Sequence, residues 1–506
     1  MRAFFATLSN LHARIQNILA SRWVRWASWL FLAAMVGLFY GANHWIQDEK
    51  QRYFWMLMSV LGVFVNNFAH CLRLRRRFVF LLFNITLFVF LLIRPLTDTI
   101  TDYPWYRFGE EANVFNVLCL LVSQIALRIG SEVGEFLRIQ YVTKRMPSPV
   151  EPTQKKLAFR KKLQLLSLLL YALAMLFYGL SQGEKLIYME GRSYEEFYLF
   201  QSQLPFYVHT LAAMTDYALC LFLATLPRKG PAFAALCVYV LSDVPTFLLG
   251  VRAPIVLDII FALVYFLLRD ALGSARPWVG RLEKAAMAIG APIGMAVLGL
   301  VNYIRDSQQA AFGFLDLIID FLYKQSVSFN VLARGYNALS FLPGDTARNF
   351  TFGPFIDYIC HGTIAQKLFG AVSLGSSNSE FIATYGHSFS HSMSFVAHPQ
   401  YLEGQGWGSS YLLETYADWG YVGIFVFSLL LGLLFAWIVS IAKTNTLTCT
   451  IALVALTGLF FIPRGEATGW LLFLCTFQFW LVILACYGGA WVLTLLEQIH
   501  KKQKNI

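Results

Sequence analysis

Apolar runs of about 17–25 residues recur along nearly the whole chain, separated by short polar stretches. Each is long enough to cross roughly 30 Å of hydrocarbon as a helix. In lipid every backbone N–H and C=O must find its partner within the protein, so such runs predict helices and not open strands. They lie at 26–46, 53–72, 78–96, 114–130, 163–181, 206–226, 231–249, 254–270, 285–304, 420–442, 445–463 and 468–494. The pattern predicts an all-α polytopic integral membrane protein of about twelve transmembrane helices.

One interval breaks the rhythm. From Arg305 to Trp419 the chain stays polar for far longer than a turn between spans requires. It divides the sequence into residues 1–304, with nine spans and basic loops, a single large loop at 305–419, and residues 420–506, with three spans and a basic tail. Within the loop, AFGFLDLIIDFLYK at 311–324 puts Phe314, Leu317, Ile318, Phe321 and Leu322 on one helical face. It is too short to span, which predicts a helix lying at the membrane surface. Prolines and glycines at 343–344, 353–354, 399 and 404–408 mark turns between short helices. The pattern contains no fixed-period repeat and no discontinuous pair of spans.

Charge placement fixes the two sides. The net charge of +11 would suit a nucleic-acid partner, but the basic residues sit in short clusters between spans. These are RLRRR at 73–77, Lys144 to Lys162, PRKG at 227–230, Arg269 to Lys284 and HKKQK near the end, with four arginines in the first 25 residues. An even number of spans puts all of them, and both termini, on one face, which the positive-inside rule makes cytoplasmic. Membrane lipids, and no nucleic acid, are the expected surroundings. No apolar run precedes Trp26, so the first 25 residues read as a basic collar and not as a cleavable signal. Of eight cysteines only Cys360 lies in the large loop, and no CxxC or zinc spacing occurs.

The opposite face is poor in basic residues, so those it keeps are informative. Arg252 sits in the GVRAP turn between two spans, Arg305 ends the ninth span and Arg464 follows Pro463. Each can snorkel to lipid headgroups. Together they can also bind phosphate bidentately with a permanent charge. A lipid-linked diphosphate is the anion expected at this depth, its headgroup at the surface and its tail in the bilayer.

The loop segment SNSEFIATYGHSFSHSMSFVAHPQYLEGQG holds Glu380, His387, His391, His398 and Glu403. His387 and His391 share a helical face, yet Ser388 stands where HExxH needs glutamate, and no cysteine or aspartate lies nearby in sequence. No metal is therefore expected, and the lack of GxSxG argues against a serine hydrolase. Imidazole can take a proton from a sugar hydroxyl at neutral pH, or it can simply bond loop backbone. In GQGWGSSYLLETYADWG, Gly404, Gly406 and Gly408 permit close backbone approach. Ser409 or Ser410 can cap a helix leading into the tenth span. Glu414 and Asp418 lie one turn apart on that helix, so near hydrocarbon that they need a salt bridge or a functional role.

FSHSMSFVAHPQYLEGQGWGSSYLLETYADWGYVGIFVFSLLLG resembles the end of the large external loop in Wzy-type oligosaccharide repeat-unit polymerases of O-antigen and capsule pathways. The positions that carry the resemblance are His391, Pro399, Gly406 to Tyr411, Glu414 and Trp419-Gly420. Gly250–Arg252 and Arg305 look like that family's external arginines. The resemblance implies a membrane-embedded glycosyltransferase of the C type, independent of metal and cofactor, in the bacterial inner membrane with its active face periplasmic. Undecaprenyl-diphosphate-linked oligosaccharides would serve as donor and acceptor, with inversion at the anomeric carbon, and a polysaccharide chain-length regulator is a candidate partner. The absence of a DxD motif and of a Gly-rich phosphate loop fits a donor that arrives already activated. The combined reading gives catalysis to His391 and Glu414 and diphosphate binding to Arg252, Arg305 and Arg464. Acceptor or loop contacts fall to Glu380, His387, His398, Ser409, Ser410 and Tyr411. The rival readings are an O-antigen ligase, and a flippase whose sparse intramembrane polar set would be Asp216, Asp243 and Asp258 with His209.

Overall fold

A computed structural model describes residues 22–71, 77–145, 154–192, 196, 200–274, 276–305, 313–344, 348–375 and 377–504. The described residues form helices and no strand. The first half of the chain contributes α1 (Arg22–Trp45), α2 (Glu49–Cys71), α3 (Phe78–Leu91), α4 (Ile93–Ile100), α5 (Glu110–Arg145) and α6 (Gln154–Met189). There follow α7 (Phe206–Ala212), α8 (Thr215–Ala224), α9 (Lys229–Ser242), α10 (Val244–Leu248), α11 (Ala253–Ala271) and α12 (Arg281–Arg305). The large loop folds into α13 (Phe314–Gln325), α14 (Ser328–Ala338), α15 (Gly353–His361), α16 (Thr363–Phe369), α17 (Glu380–Tyr385) and α18 (Phe389–Ala397). The chain closes with α19 (Tyr411–Thr444), α20 (Thr446–Leu459) and α21 (Phe477–Lys504).

Ten helices or helix pairs among the described residues are long and apolar enough to cross a membrane, and α3 with α4 makes an eleventh if that bent pair is one span. The twelfth expected span, 254–270, is α11, a 19-residue helix that carries Asp258, Arg269 and Asp270. Its three charged residues, and not a want of apolar ones, set it apart from the others, so a count of twelve holds only if α11 crosses as well.

The expectation of unbroken spans is corrected. Between α3 and α4 the axis bends by 48°, where Pro95 has no N–H to offer the C=O of Leu91. The helical dihedrals of α19 fail at Trp419 and at Gly420, whose φ of +60° and ψ of −152° only glycine adopts without strain. Residues 411–418 are therefore a separate helical turn beneath the loop, and the span proper follows the break.

The most extensive pairing joins α5 to α19. A Cβ on Gly130 would lie 2.1 Å from the carbonyl oxygen of Leu429, and one on Gly432 would lie 2.3 Å from that of Leu127. The small residues let the two backbones touch, which is how membrane helices gain dispersion without a hydrophobic driving force. The basic end is tied by ion pairs from Arg77 to Glu135, Lys162 to Glu497 and Lys229 to Glu283. At the other end the loop helices dock: α13 lies on α12 with Leu317 against Gly299, and the Tyr323 hydroxyl donates to Asp98 at 2.8 Å.

Gly130→Leu should overpack the α5–α19 crossing and cost about 1–3 kcal/mol, read as a lower melting temperature in detergent. Gly37→Leu, where a Cβ meets open space, should leave the melt unchanged.

Candidate functional site

Arg252 caps the start of α11 and Arg464 ends the short turn after α20. Far apart in sequence, both line one cavity of about 310 Å3 with Phe90, Leu257, Phe321 and Gln325. Arg464 Nη1 donates to Gln325 Oε1 at 2.9 Å, and Arg252 Nη1 donates to the Leu298 carbonyl at 3.4 Å. Guanidinium donors thus meet an apolar wall at the end of the bundle that carries the loop. Arg305 closes α12, and its side chain lies outside the described residues. A neighbouring cavity of about 400 Å3, lined by Asp216, Asp243 and Asp258, shares Ala253, Leu257 and Phe461 with the first. The sparse intramembrane carboxylates therefore converge.

The loop histidines are organised by a residue that sequence reading missed. Asp357, on α15, accepts the backbone N–H of His387 through both oxygens, at 3.1 and 3.0 Å, and lies 2.9 Å from its Nδ1. The carboxylate fixes Nδ1 as the protonated nitrogen and leaves Nε2 basic. His391, on α18, has Nδ1 2.9 Å from the Tyr401 hydroxyl, which itself donates to the Ser379 carbonyl at 3.2 Å. With the phenol proton committed, Nδ1–H donates to Tyr401 and Nε2 again holds the lone pair. Burial lowers the His391 imidazole below its ordinary value, against the opposing charge of Asp357.

Glu466, two residues after Arg464, completes the group. Burial raises its carboxyl above the ordinary range, and the negative charge of Asp357 adds to this. The turn after α20 thus sends Arg464 into the cavity and brings Glu466 within the field of Asp357. Arg348 pins the loop that carries the histidines, donating to the carbonyls of Pro343, Ala383 and Gly386 and to Ser392 Oγ.

Other predicted residues take interior or peripheral places. Glu414 is 1% exposed and accepts the Ala467 N–H at 2.7 Å. Its carboxylate, expected as a base, is enclosed by the turn it holds. Asp418 meets no arginine but accepts the N–H groups of Phe350 and Thr351 at 3.0 and 2.7 Å. Ser409, Ser410 and Tyr411 are buried as well. Ser410 caps the helix through Leu412 N–H, and Tyr411 meets Ser428. His398 stands edge-on to Trp407 at 5.2 Å, and Glu380 and Glu403 are exposed. The backbone at Gly408 passes the carbonyl of Arg464, and Trp407 N–H donates to Ser394 Oγ at 2.9 Å. The glycine-rich segment therefore joins the arginine turn to the histidine helix.

A sequence profile for the O-antigen polysaccharide polymerase Wzy family matches residues 27–494, nearly the whole chain. The chain belongs to that family. No curated protein and no solved structure matches it. Membership supports a role in O-antigen polymerisation by a multi-pass membrane protein. Among the described residues no group of three or more His, Cys, Asp or Glu is arranged to hold a metal ion.

Asp357 carried no motif, because its partner lies thirty residues away in sequence and only the packing of α15 brings the two together. Glu466 had one signal, its place in PRGEAT beside an arginine already singled out. Glu414→Ala should leave the Ala467 N–H unpaired and cost about 1–3 kcal/mol in thermal melts. Glu414→Gln, which keeps an acceptor oxygen, should retain most of that stability.

Proposed function

We propose that this chain joins oligosaccharide repeat units carried on undecaprenyl diphosphate, at the periplasmic face of the bacterial inner membrane, with both termini cytoplasmic. The observation that carries the reading is the meeting of Arg252 and Arg464 in one cavity at the loop end of the bundle. The growing glycan binds with its diphosphate at these arginines and at Arg305, its lipid tail along the apolar wall. A hydroxyl of the incoming repeat unit attacks the anomeric carbon from the side opposite the diphosphate. A bond from that oxygen to carbon forms, the bond from carbon to the phosphate oxygen breaks, and the configuration inverts. The hydroxyl proton passes to Nε2 of His391, with the His387–Asp357 pair beside it. The guanidinium groups stabilise charge growing on the departing diphosphate, the larger contribution in such transfers. Glu414 acts through the turn that presents Arg464.

His391→Ala should slow in vitro extension of purified lipid-linked repeat units by about 10²–10⁴-fold. Because His391 sits below the ordinary imidazole value, its basic form persists as pH falls, so the acid limb of the wild-type rate should have its midpoint below about 6.5. Arg252→Ala, Arg305→Ala and Arg464→Ala should each lose activity, and Arg464→Lys should also lose it because the bidentate fork is gone. Extension at the wild-type rate by His391→Ala and all three arginine variants would sink the assignment.

A further inference from the structure

Three carboxylates of the membrane-spanning helices, Asp216, Asp243 and Asp258, have no part in the chemistry above. Carboxylates at that depth are costly and are as a rule functional. These three come from different elements yet line one cavity of about 400 Å3, together with Tyr178, Thr215 and Tyr239. Asp216 follows the joint between α7 and α8, and Asp243 sits between α9 and α10. Asp258 lies on α11, about 9 Å along the helix axis from Arg252. Helices interrupted at membrane depth are tolerated where the freed backbone lines a cavity and not lipid.

The protein does not satisfy this lining from within. Tyr178 donates to Asp243 Oδ1. Asp258 is 7% exposed and Thr215 3%, yet Asp258 Oδ2 and Thr215 Oγ1 are buried with no hydrogen-bond partner. Buried polar atoms without partners are expensive, so a ligand that brings donors is favoured. The chemistry of the wall selects that ligand. Among the described residues that line the cavity none is basic, which disfavours an anion. The carboxylates are not arranged to hold a metal ion, so the donors belong to a larger molecule. Several acceptors around a space of this size, with Leu257 and Phe461 as an apolar wall, suit a monosaccharide. Its rim carries O–H donors, its ring faces carry C–H, and hydroxyls bind carboxylates in charge-assisted hydrogen bonds.

Position completes the argument. Ala253, Leu257 and Phe461 line both this cavity and the one that holds Arg252 and Arg464. A sugar and its diphosphate are joined through a single oxygen, so their two sites must adjoin. We propose that Asp216, Asp243, Asp258 and Thr215 bind the monosaccharide attached directly to the donor's diphosphate. This rests on the polymerase reading above and adds to it the residues that recognise the sugar whose anomeric carbon is attacked.

The test compares the affinity of the full chain in detergent for two probes. One is bare undecaprenyl diphosphate; the other carries the first monosaccharide of the native repeat unit. The wild type should bind the sugar-bearing lipid about tenfold more tightly, the gain expected from hydrogen bonds to charged groups. Asp243→Asn/Asp258→Asn keeps the shape of the wall and should bind both lipids as the wild type binds the bare one. Thr215→Val, close to isosteric, should reduce the preference by about threefold. Arg252→Gln/Arg464→Gln should lose both lipids. An unchanged preference in the aspartate and threonine variants would overturn the sugar site. So would equal loss of both lipids in the aspartate variant with Thr215→Val unaltered, which would make the carboxylates supports for the arginine turn. A wild type without preference would overturn it while leaving the polymerase reading intact, and a wild type that binds neither lipid would overturn that reading itself. Thermal stabilisation by sodium over choline chloride, lost in the aspartate variant while the sugar preference stays, would assign the cavity to a cation instead.

Discussion

Glu414 accepts the Ala467 N–H at 2.7 Å inside the protein, and Asp418, one turn further along the same helix, does the same for Phe350 and Thr351. Two carboxylates that would be costly in hydrocarbon are satisfied by backbone donors, and in exchange they fix two segments of chain. One is the turn bearing Arg464 and Glu466; the other leads into α15, which bears Asp357. The arginine cavity and the histidine group owe their proximity to this short stretch of residues 411–418.

That stretch exists because α19 breaks. Gly420 takes a left-handed φ, which lets residues 411–418 leave the axis of the span and lie beneath the loop. The span itself is anchored by its close approach to α5, where Gly130 and Gly432 bring backbone against backbone. A rigid pairing in the bundle thus carries a broken end at the surface. The arrangement places polar, hydrogen-bonded backbone where protein and not lipid surrounds it.

The chemistry divides along the turn after α20. Arg464 lines an apolar cavity, while Glu466 lies within the charge of Asp357, the carboxylate that holds the His387 imidazole. Positive charge for a departing diphosphate and bases for an attacking hydroxyl are the two requirements of glycosyl transfer from a lipid diphosphate. The family to which the chain belongs polymerises O-antigen polysaccharide, and the arrangement fits that activity.

The sequence by itself determined the helical membrane class, the basic face, the single large loop and its terminal segment, because hydrophobic length and charge placement are local properties. It also marked Arg252 and Arg464, since arginine in a short turn on the face poor in basic residues is unusual. Only the tertiary structure decided which polar groups look inward. Glu414 and Tyr411 became interior, while Asp357 joined His387 from thirty residues away and Glu466 came within the charge of Asp357. The breaks at Leu92 and Gly420 were not read from the sequence, although Pro95 and Gly420 stand at them, because a proline or glycine permits a break and packing decides whether it occurs. Burial and partnership are properties of packed helices, and no spacing along the chain encodes them.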